Sequence, residues 1–366
     1  MRSAEQVLKR FLYRAMGKFF SPPVVSSAAL PFESLRRILI VRQHDQLGDL
    51  LIATPAIRAV RKKFPKAHLA VVVREYTEPM MRNNPHVDEV IIFYERLRRW
   101  NYHRLKTFWL ALRAGGGYDC AIVLNTVSRS LSSDIIALLS KAKYIVGSDH
   151  LPHETHSGEK IYNLVVHRSP GQETEIERNL DIVRALEADE ADLEYDLVPT
   201  HKERIEAGHI FLALGLPEAK MTAGVHFGAI DPTRCFPLHK LAQVIDFMVE
   251  RFDVNVVLIA GPNEIERRTF LLSHVHHKVF SAPVMPLRVM AAFVRHLQLF
   301  LCNDTGTLHI AASQRVPTVS FHGANDPAVW KPPHPRHIAV RADDALITSI
   351  TIEQVMNAVE RTIAGR

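Results

Sequence analysis

The chain alternates short runs of aliphatic and β-branched residues with longer stretches of helical periodicity, and this alternation constrains the fold more than any other feature. Runs without a polar face predict strands that are buried on both sides. Strands that alternate with helices predict a parallel sheet covered by helices on both faces. In the first half, strands are predicted at 37–42, 69–73, 89–93, 120–125 and 143–147, and helices at about 49–64, 101–113, 129–141 and 172–187.

A second series of the same kind begins near residue 200. Its strands are predicted at 222–227, 255–261, 299–303 and 317–321, and its helices at 202–214, 237–251, 264–273, 287–296, 305–314 and 351–363. The polar stretch 187–203 separates the two series and is predicted to be an inter-domain linker. We therefore expect an α/β chain with one Rossmann-like domain over 36–190 and another over 200–366, whose last helix could return to the first domain. Two doubly wound domains place a ligand cleft between them, at the carboxyl ends of the strands.

Composition narrows the class of protein. The length of 366 residues suits two domains of ordinary size, and 47% hydrophobic against 23% charged residues excludes a disordered chain. The three cysteines are far apart and lack the spacing of a zinc site, which predicts a reducing compartment rather than a disulfide scaffold.

Residues 1–35 form a basic extension ahead of the first predicted domain. The segment FLYRAMGKFF is interrupted by Arg14 and Lys18, and no apolar run is long enough to cross a bilayer. Its apolar residues share one side of a helical wheel, which is typical of an interfacial helix and equally of a helix docked on the protein's own core. Residues 1–120 carry about twice as many basic as acidic residues. This balance favours an anionic partner such as a membrane surface, a phosphorylated lipid or nucleic acid, and a solvated basic face has the same composition.

The segment NDTGTLHIAAS follows the third strand of the second series and begins a predicted helix. Such a turn leaves the backbone N–H groups of Thr305, Gly306 and Thr307 unpaired at the positive end of a helix dipole, where phosphate binds. Asp304 and His309 flank the turn with groups that could orient a ligand or each other. An ordinary capped helix start explains the same residues, with His309 as an interior histidine that braces the turn.

Three further loops follow predicted strands and carry charged residues. Asp49 could act as a general base for a hydroxyl group, or cap the next helix. Arg234, in a loop with Thr233, could clamp a diphosphate or lie free on the surface. Glu264 could accept hydrogen bonds from ribose hydroxyls, or favour the positive end of a helix. The loops that contain Arg234 and Glu264 and the NDTG turn all follow strands of one domain, so we expect them to meet at one edge of the sheet. Together they predict a nucleotide-diphosphate site.

The chain contains the segments ILIVRQHDQLGDLLIATPAIRAVRKKFP (38–65), GAIDPTRCFP (228–237), IAGPNE (259–264) and NDTGTLHIAASQRVPTVSFHGANDP (303–327). Together these segments resemble glycosyltransferase family 9, the ADP-heptose:lipopolysaccharide heptosyltransferases. The resemblance covers nearly everything from Arg37 to the C-terminus, and its last segment is highly specific. It implies a GT-B fold of two Rossmann-like domains facing a cleft, with the nucleotide sugar on the C-terminal domain and the acceptor on the N-terminal domain.

The resemblance also implies a role for each matching residue. Asp49 matches the aspartate regarded as the catalytic base, and Glu264 resembles an acidic residue near the donor ribose. Arg234 stands where the family usually has lysine, so the charge is kept but the phosphate geometry could differ. The implied reaction is an inverting transfer from ADP-heptose that needs neither a metal ion nor a cofactor. The predicted donor-binding residues are Thr233, Arg234, Glu264, Asp304, Thr305, Gly306, Thr307 and His309.

The acceptor implied by the resemblance is a lipopolysaccharide core or a related surface glycan, reached from the inner face of a bacterial cytoplasmic membrane. The residues predicted to bind it are Arg61, Lys62, Lys63, Arg98, Arg99, Asn125 and Arg129. Trp100 and Tyr102, interleaved with basic residues over 96–106, suit a membrane interface. They could equally stack on bases, but no nucleic-acid-binding motif supports that partner.

Two alternatives to the proposed enzyme keep the same fold. One is a GT-B glycosyltransferase that uses another nucleotide sugar, and the other is a catalytically silent binding or assembly protein. His150, His153 and His156 suggest a metal cluster, yet no carboxylate pattern completes it, so we expect a mobile loop and no metal site.

Overall fold

The computed structural model describes residue 20 and residues 23–127, 129–148, 161–167 and 174–365. The chain divides into two compact units, Met1–Leu193 (unit 1) and Glu194–Arg366 (unit 2). None of the helices in the described ranges is long and apolar enough to cross a membrane. Most of the basic extension and all three histidines of the 150–156 loop lie outside the described residues.

Unit 1 is built on one parallel sheet. Its strands are β1 (Arg37–Val41), β2 (His68–Arg74), β3 (Glu89–Phe93), β4 (Cys120–Val123), β5 (Tyr144–Ser148) and β6 (Leu164–Val166). Their order is β3-β2-β1-β4-β5-β6, and every neighbouring pair is parallel. The helices of the described residues are α1 (Leu47–Ile52), α2 (Thr54–Lys63), α3 (Glu78–Met81), α4 (Tyr102–Arg113), α5 (Leu131–Leu139) and α6 (Glu175–Arg184).

Unit 2 repeats this plan. Its strands are β7 (Thr222–His226), β8 (Asn255–Ile259), β9 (Phe280–Ser281), β10 (Leu299–Asn303), β11 (Thr318–His322) and β12 (His337–Arg341). Their order is β12-β11-β10-β7-β8-β9, again entirely parallel. Its helices are α7 (His201–Ala213), α8 (Leu238–Phe252), α9 (Ile265–His274), α10 (Leu287–Val294), α11 (Gly306–Ser313), α12 (Pro327–Trp330) and α13 (Ile352–Ala364).

Both sheets have the strand order of a Rossmann fold, because the first strand of each lies beside the fourth. In unit 1 the chain reverses its direction of winding between β1 and β4, and in unit 2 between β7 and β10. Open α/β sheets bind ligands in the crevice at this point, outside the carboxyl ends of the strands. The loops after these four strands are therefore where functional residues are expected.

The helix predicted over 49–64 is two helices. Helix α1 ends before Ala53, and α2 begins at Thr54, whose hydroxyl donates to Leu51 O at 2.6 Å. Pro55 in the first turn of α2 lacks an N–H group, so a continuous hydrogen-bond ladder cannot pass through this point. The carboxyl end of β1 is consequently followed by a short, separate helix.

The predicted linker 187–203 contains the boundary between the two units, and its first part is tied to unit 1 by side-chain contacts. Glu190 is buried, and its carboxylate accepts hydrogen bonds from Arg58 Nε at 2.8 Å and Lys62 Nζ at 2.6 Å. At the other end α7 already begins at His201. The last helix, α13, lies on unit 2, where its buried apolar residues join the core that β11 and β12 help to build.

Candidate active site

The carboxyl edge of the unit 2 sheet brings together the loops that follow β7, β8 and β10. Asn303, the last residue of β10, joins two of them: its Oδ1 accepts from Phe236 N at 2.8 Å, and its Nδ2 donates to Gly228 O at 3.1 Å. Asn303 is 1% exposed, so these bonds replace those it would make with water. In the sequence, Asn303 is the last residue of an apolar strand, so its hydrogen bonds to the other loops could not be predicted.

The turn after β10 has the geometry expected of a phosphate-binding turn. Thr305 has an extended backbone and precedes α11, and no side chain caps the helix start. Within the described residues, the backbone N–H groups of Thr305, Gly306 and Thr307 have no hydrogen-bond partner, and all three residues are partly exposed. They are therefore available to an anion at the positive end of the helix.

Arg234 lies beside this turn. Its Nη2 donates to Asp304 O at 2.6 Å and to Asp304 Oδ2 at 2.7 Å. The same carboxylate oxygen accepts from Asn325 Nδ2 at 2.7 Å. Burial by itself would raise the pKa of Asp304, but electrostatic interactions with His322, His309 and Arg234 and the hydrogen bond from Asn325 lower it overall. Asp304 is thus a buried anion that holds Arg234, with the rest of the guanidinium half-exposed.

His309 is buried under the turn. It is 4% exposed, and its ring centre lies 5.7 Å from that of Tyr195. This position favours bracing the turn over direct contact with a phosphate. Thr233 directly precedes Arg234 in an exposed 3-10 turn, where its hydroxyl donates to Asp231 Oδ1 at 2.7 Å.

Glu264 lies directly over the loop that follows β7. A Cβ at Gly228 would come within 1.4 Å of Glu264 Oε1, so any larger residue there would have to displace the Glu264 carboxylate. Glu264 Oε2 accepts from Gly261 N at 2.7 Å. The carboxylate is thereby fixed beside the carboxyl ends of β7 and β8.

A chain of polar contacts links Glu264 to the turn at 305–307. His226 Nε2 lies 3.5 Å from Glu264 Oε2, and its Nδ1 lies 3.4 Å from Thr307 Oγ1, which contacts Thr305 Oγ1 at 2.9 Å. Burial lowers the pKa of His226, although Glu264 opposes the shift. A neutral imidazole can donate to Glu264 from one nitrogen and accept from Thr307 at the other. His226 ends a strand, so the sequence did not single it out.

In unit 1, Asp49 lies in the first turn of α1, where its Oδ2 accepts from Gln46 N at 3.1 Å. It is partly exposed. Both interpretations of Asp49 remain compatible with this geometry, because one carboxylate oxygen caps the helix while the other is uncommitted among the described contacts.

A cluster of buried carboxyl groups lies near Asp49. Asp45 binds Arg42 Nε, and Glu175 accepts from the Thr126 hydroxyl. Burial raises the pKa of Asp45 to about 7; Arg42 opposes the rise, and Asp49 and Glu175 add to it. Glu175 begins a helix far along the chain, which is why the sequence gave no reason to place it here.

The residues predicted to bind the acceptor separate into three groups. The first group ends α2, at the opposite edge of the sheet from Asp49, and consists of Arg61, Lys62 and Lys63. Each of these residues forms an ion pair: Arg61 with Asp88, Lys62 with Glu190 and Lys63 with Glu187. The structure therefore does not bring these three to the candidate site. A helix that follows a parallel strand runs back to the amino end of the next strand, so their position could have been foreseen from the sequence.

Asn125 and Arg129 follow β4, next to the point where the strand order reverses. Asn125 is 7% exposed, and its buried Nδ2 has no partner among the described residues. Arg129, in contrast, is enclosed: its Nε donates to Asp134 Oδ2 at 2.9 Å, and its guanidinium lies over the ring of Tyr162. Asn125 is thus the better placed of the two to meet a ligand.

Arg98 and Arg99 line a cavity of about 780 Å³ at the carboxyl ends of β2 and β3. Arg99 makes a bidentate pair with Glu75 at 2.8 and 3.0 Å. Trp100 is not an interfacial residue, since its Nε1 donates to Tyr94 O at 2.6 Å and its ring packs against Phe108 in the core. No group of three metal-binding side chains is found in the described ranges.

Comparison with known proteins identifies the family. The sequence model of glycosyltransferase family 9 (heptosyltransferase) matches residues 106–358, which is more than half of the chain. The chain belongs to this family. The matched range contains Arg234, Glu264 and the turn at 304–307, whereas Asp49 precedes it.

Named relatives agree with this membership. The chain is 28% identical over 312 residues to a Haemophilus influenzae protein described as a glycosyltransferase, covering 81% of this chain and 86% of that protein. It is 24% identical over 305 residues to lipopolysaccharide heptosyltransferase 3 of Escherichia coli, covering 78% and 83%. As a member of glycosyltransferase family 9, the chain is a glycosyltransferase of heptosyltransferase type.

Solved structures establish the fold. A glycosyltransferase family 9 protein of Veillonella parvula superposes with a TM-score of 0.78 at 20% identity, covering 90% of this chain and 98% of that one. Escherichia coli heptosyltransferase WaaC, solved with ADP, superposes with a TM-score of 0.70 at 21% identity, covering 89% and 99%. The expected GT-B fold class, with two Rossmann-like sheets, is confirmed.

Proposed function

We propose that this glycosyltransferase transfers heptose from ADP-heptose to a lipopolysaccharide core or related surface glycan, with inversion and without a metal ion. One observation carries the proposal: Arg234 and three uncommitted backbone N–H groups converge on one accessible turn of unit 2. Guanidinium and helix-terminal N–H groups together suit a diphosphate. The relatives named for heptosyltransferase activity support the sugar.

In the proposed reaction, Asp49 accepts the proton of the acceptor hydroxyl as that oxygen attacks the anomeric carbon. The bond between that carbon and the β-phosphate oxygen breaks, and its electron pair leaves with ADP. Attack from the face opposite the leaving group inverts the anomeric centre. Positioned proton acceptors of this kind typically contribute about 10²- to 10⁴-fold in rate.

The positive charge of Arg234 and the N-terminus of α11 would stabilise the departing diphosphate. In this proposal they take the place that a divalent cation holds in other nucleotide-sugar enzymes. Transfer should therefore continue in excess EDTA, and loss of turnover that Mg²⁺ restores would contradict the metal-independent mechanism.

On the acceptor side, we propose that Asn125 and the cavity containing Arg98 and Arg99 meet the phosphorylated glycan. The acceptor would be a lipid-linked glycan at the cytoplasmic face of a bacterial inner membrane. Arginine is suited to this task, because its planar N–H groups match phosphate and carboxylate oxygens.

The deciding experiment compares donors. Thermal stabilisation is measured with ADP-, UDP- and GDP-sugars, followed by transfer assays with ADP-heptose and a heptose-free core acceptor. We expect stabilisation by ADP-sugars and a product of inverted anomeric configuration by NMR. Stabilisation by UDP-sugars alone would indicate the alternative nucleotide-sugar enzyme, and binding without transfer or donor hydrolysis would indicate a silent binding protein.

A further inference from the structure

Helix α4 of unit 1 is apolar on two sides. Its inner side contributes Phe108 and Leu112 to the core. Its outer side carries Tyr102, Leu105, Trp109 and Leu110, which are 80%, 55%, 43% and 57% exposed and which we call the α4 face. A helix of a water-soluble domain normally places polar residues on its outer side. A run of exposed aromatic and aliphatic residues one to two turns apart therefore needs a covering surface.

Basic residues flank the α4 face along the chain, and of these Arg99 is paired with Glu75. The stretch 94–113 contains six arginines and lysines and a single acidic residue, Glu95, and α4 itself contains no Asp or Glu. Arg113 lies over the ring of Trp109, with its guanidinium carbon 4.4 Å from the ring centre. Cationic side chains that flank aromatic and aliphatic ones are typical of helices that lie at the interface of an anionic bilayer.

The charge of the residues around the α4 face distinguishes between the partners that could cover it. The chain's own residues 1–19 carry five arginines and lysines and one acidic residue, so they do not complement it. A second copy of the same basic surface does not complement it either. An anionic lipid surface does, and each nearby basic residue strengthens such attraction.

We propose that the α4 face docks this enzyme on a bilayer rich in anionic phospholipid, with Leu105 and Trp109 entering the headgroup region. The inference rests on the proposed membrane-linked acceptor, and it names the surface of the chain that meets that membrane. Arg98 and Arg99 lie just before α4 in the chain, so docking there would hold the predicted acceptor cavity close to the lipid surface.

The test measures co-sedimentation of the full chain with vesicles of phosphatidylglycerol and phosphatidylethanolamine, and with neutral phosphatidylcholine vesicles. The variant carries Leu105→Glu and Trp109→Glu. The matched control is Leu212→Glu, which alters a 74% exposed leucine on α7 of unit 2. We expect wild type and control to bind anionic vesicles, and the double variant to bind at least about 10-fold more weakly, because two interfacial side chains are replaced by charges.

A second readout separates this inference from the proposed reaction. Transfer to a lipid-free acceptor fragment should be unchanged in the double variant, and Trp109→Phe should remove most of a vesicle-induced blue shift in tryptophan fluorescence. Equal vesicle binding by wild type and the double variant would overturn the docking surface even if transfer is observed. A dimer that the double variant dissociates would also overturn it, because a second copy would then cover the face.

Discussion

A single nitrogen of Arg234 holds both the backbone carbonyl and the carboxylate of Asp304, at 2.6 and 2.7 Å. The arginine is thereby fixed against the turn whose N–H groups are uncommitted. Its other N–H groups have no partner among the described residues, so they remain available to a ligand. Arg234, which we propose binds the diphosphate, is therefore held in position by Asp304 before any donor binds.

Replacing Arg234 separates charge from geometry. The variant Arg234→Lys keeps the positive charge but lacks the planar N–H groups that can bind two phosphate oxygens at once. We therefore expect its kcat/KM for the donor to fall about 10-fold. Arg234→Gln removes the charge as well and should cost about 100-fold, in line with ~1.5–3 kcal/mol for a hydrogen bond to a charged group. Initial rates over a range of donor concentrations measure both. Equal activity of Arg234→Gln and wild type would show that the diphosphate binds elsewhere.

Gly228 and Gly261 provide a matched pair of substitutions beside Glu264. A Cβ at Gly228 meets Glu264 Oε1 at 1.4 Å, whereas one at Gly261 lies no closer than 3.5 Å to that side chain. Gly228→Ala should displace the carboxylate and weaken ADP binding in calorimetry by about 10-fold, the loss of one good hydrogen bond. Gly261→Ala retains the N–H group that Glu264 accepts and should bind ADP normally. Identical affinities for both variants would mean that Glu264 does not contribute to nucleotide binding.

Asp49 can be tested for catalysis independently of its capping role. Asparagine retains an acceptor for Gln46 N–H but cannot take up a proton at neutral pH, so Asp49→Asn should lower kcat by about 10²- to 10⁴-fold with an unchanged melting temperature. Asp49→Ala should lose the same activity and also about 1 kcal/mol of stability, because the cap is lost. Donor affinity should be unchanged in both variants. Near-normal turnover of Asp49→Asn would exclude the general-base assignment.

Two buried histidines predict acid sensitivity of unit 2. Burial lowers the pKa of His322 to about 4 and of His337 to about 3. Below about pH 6.5 the unfolded chain takes up these protons while the folded one does not, so the free energy of unfolding falls by up to about 1.4 kcal/mol per pH unit for each histidine. Above that pH their full contribution to stability is present.

Urea unfolding at pH 7.5 and pH 5 measures this effect. His337 lies on the outer strand β12, where its Nδ1 contacts Thr318 Oγ1 at 3.0 Å. The variant His337→Gln keeps a polar partner for Thr318 and should reduce the stability lost between the two pH values by about 2 kcal/mol. An unaltered loss in the variant would contradict the assignment of His337.

The sequence predicts the central strands well because each is a continuous apolar run. The strands it does not predict, β6, β9 and β12, all lie at sheet edges. An edge strand has one neighbour and needs fewer apolar residues, and β9 contains only two residues. Because these strands are not predicted, the predicted sheets are narrower than the observed ones, but the predicted location of the site is the same.

At the candidate site, loop residues are easier to predict than strand residues. Arg234, Glu264 and the turn at 304–307 follow strands and carry evident chemistry. Asn303 and His226 end strands, and what they do depends on β10 lying beside β7, and β7 beside β8. That order follows from the packing of the whole sheet, so no local pattern in the sequence reveals it.

The repeated strand order has an evolutionary consequence. The candidate base and the candidate nucleotide-binding residues belong to two sheets, and each sheet is supported by its own hydrophobic core. A substitution that changes nucleotide recognition in unit 2 leaves the core of unit 1, which supports the candidate base, unaltered. Likewise, a substitution near the candidate base leaves the core of unit 2 unaltered. Descendants of such a chain can therefore exchange one substrate while keeping the other.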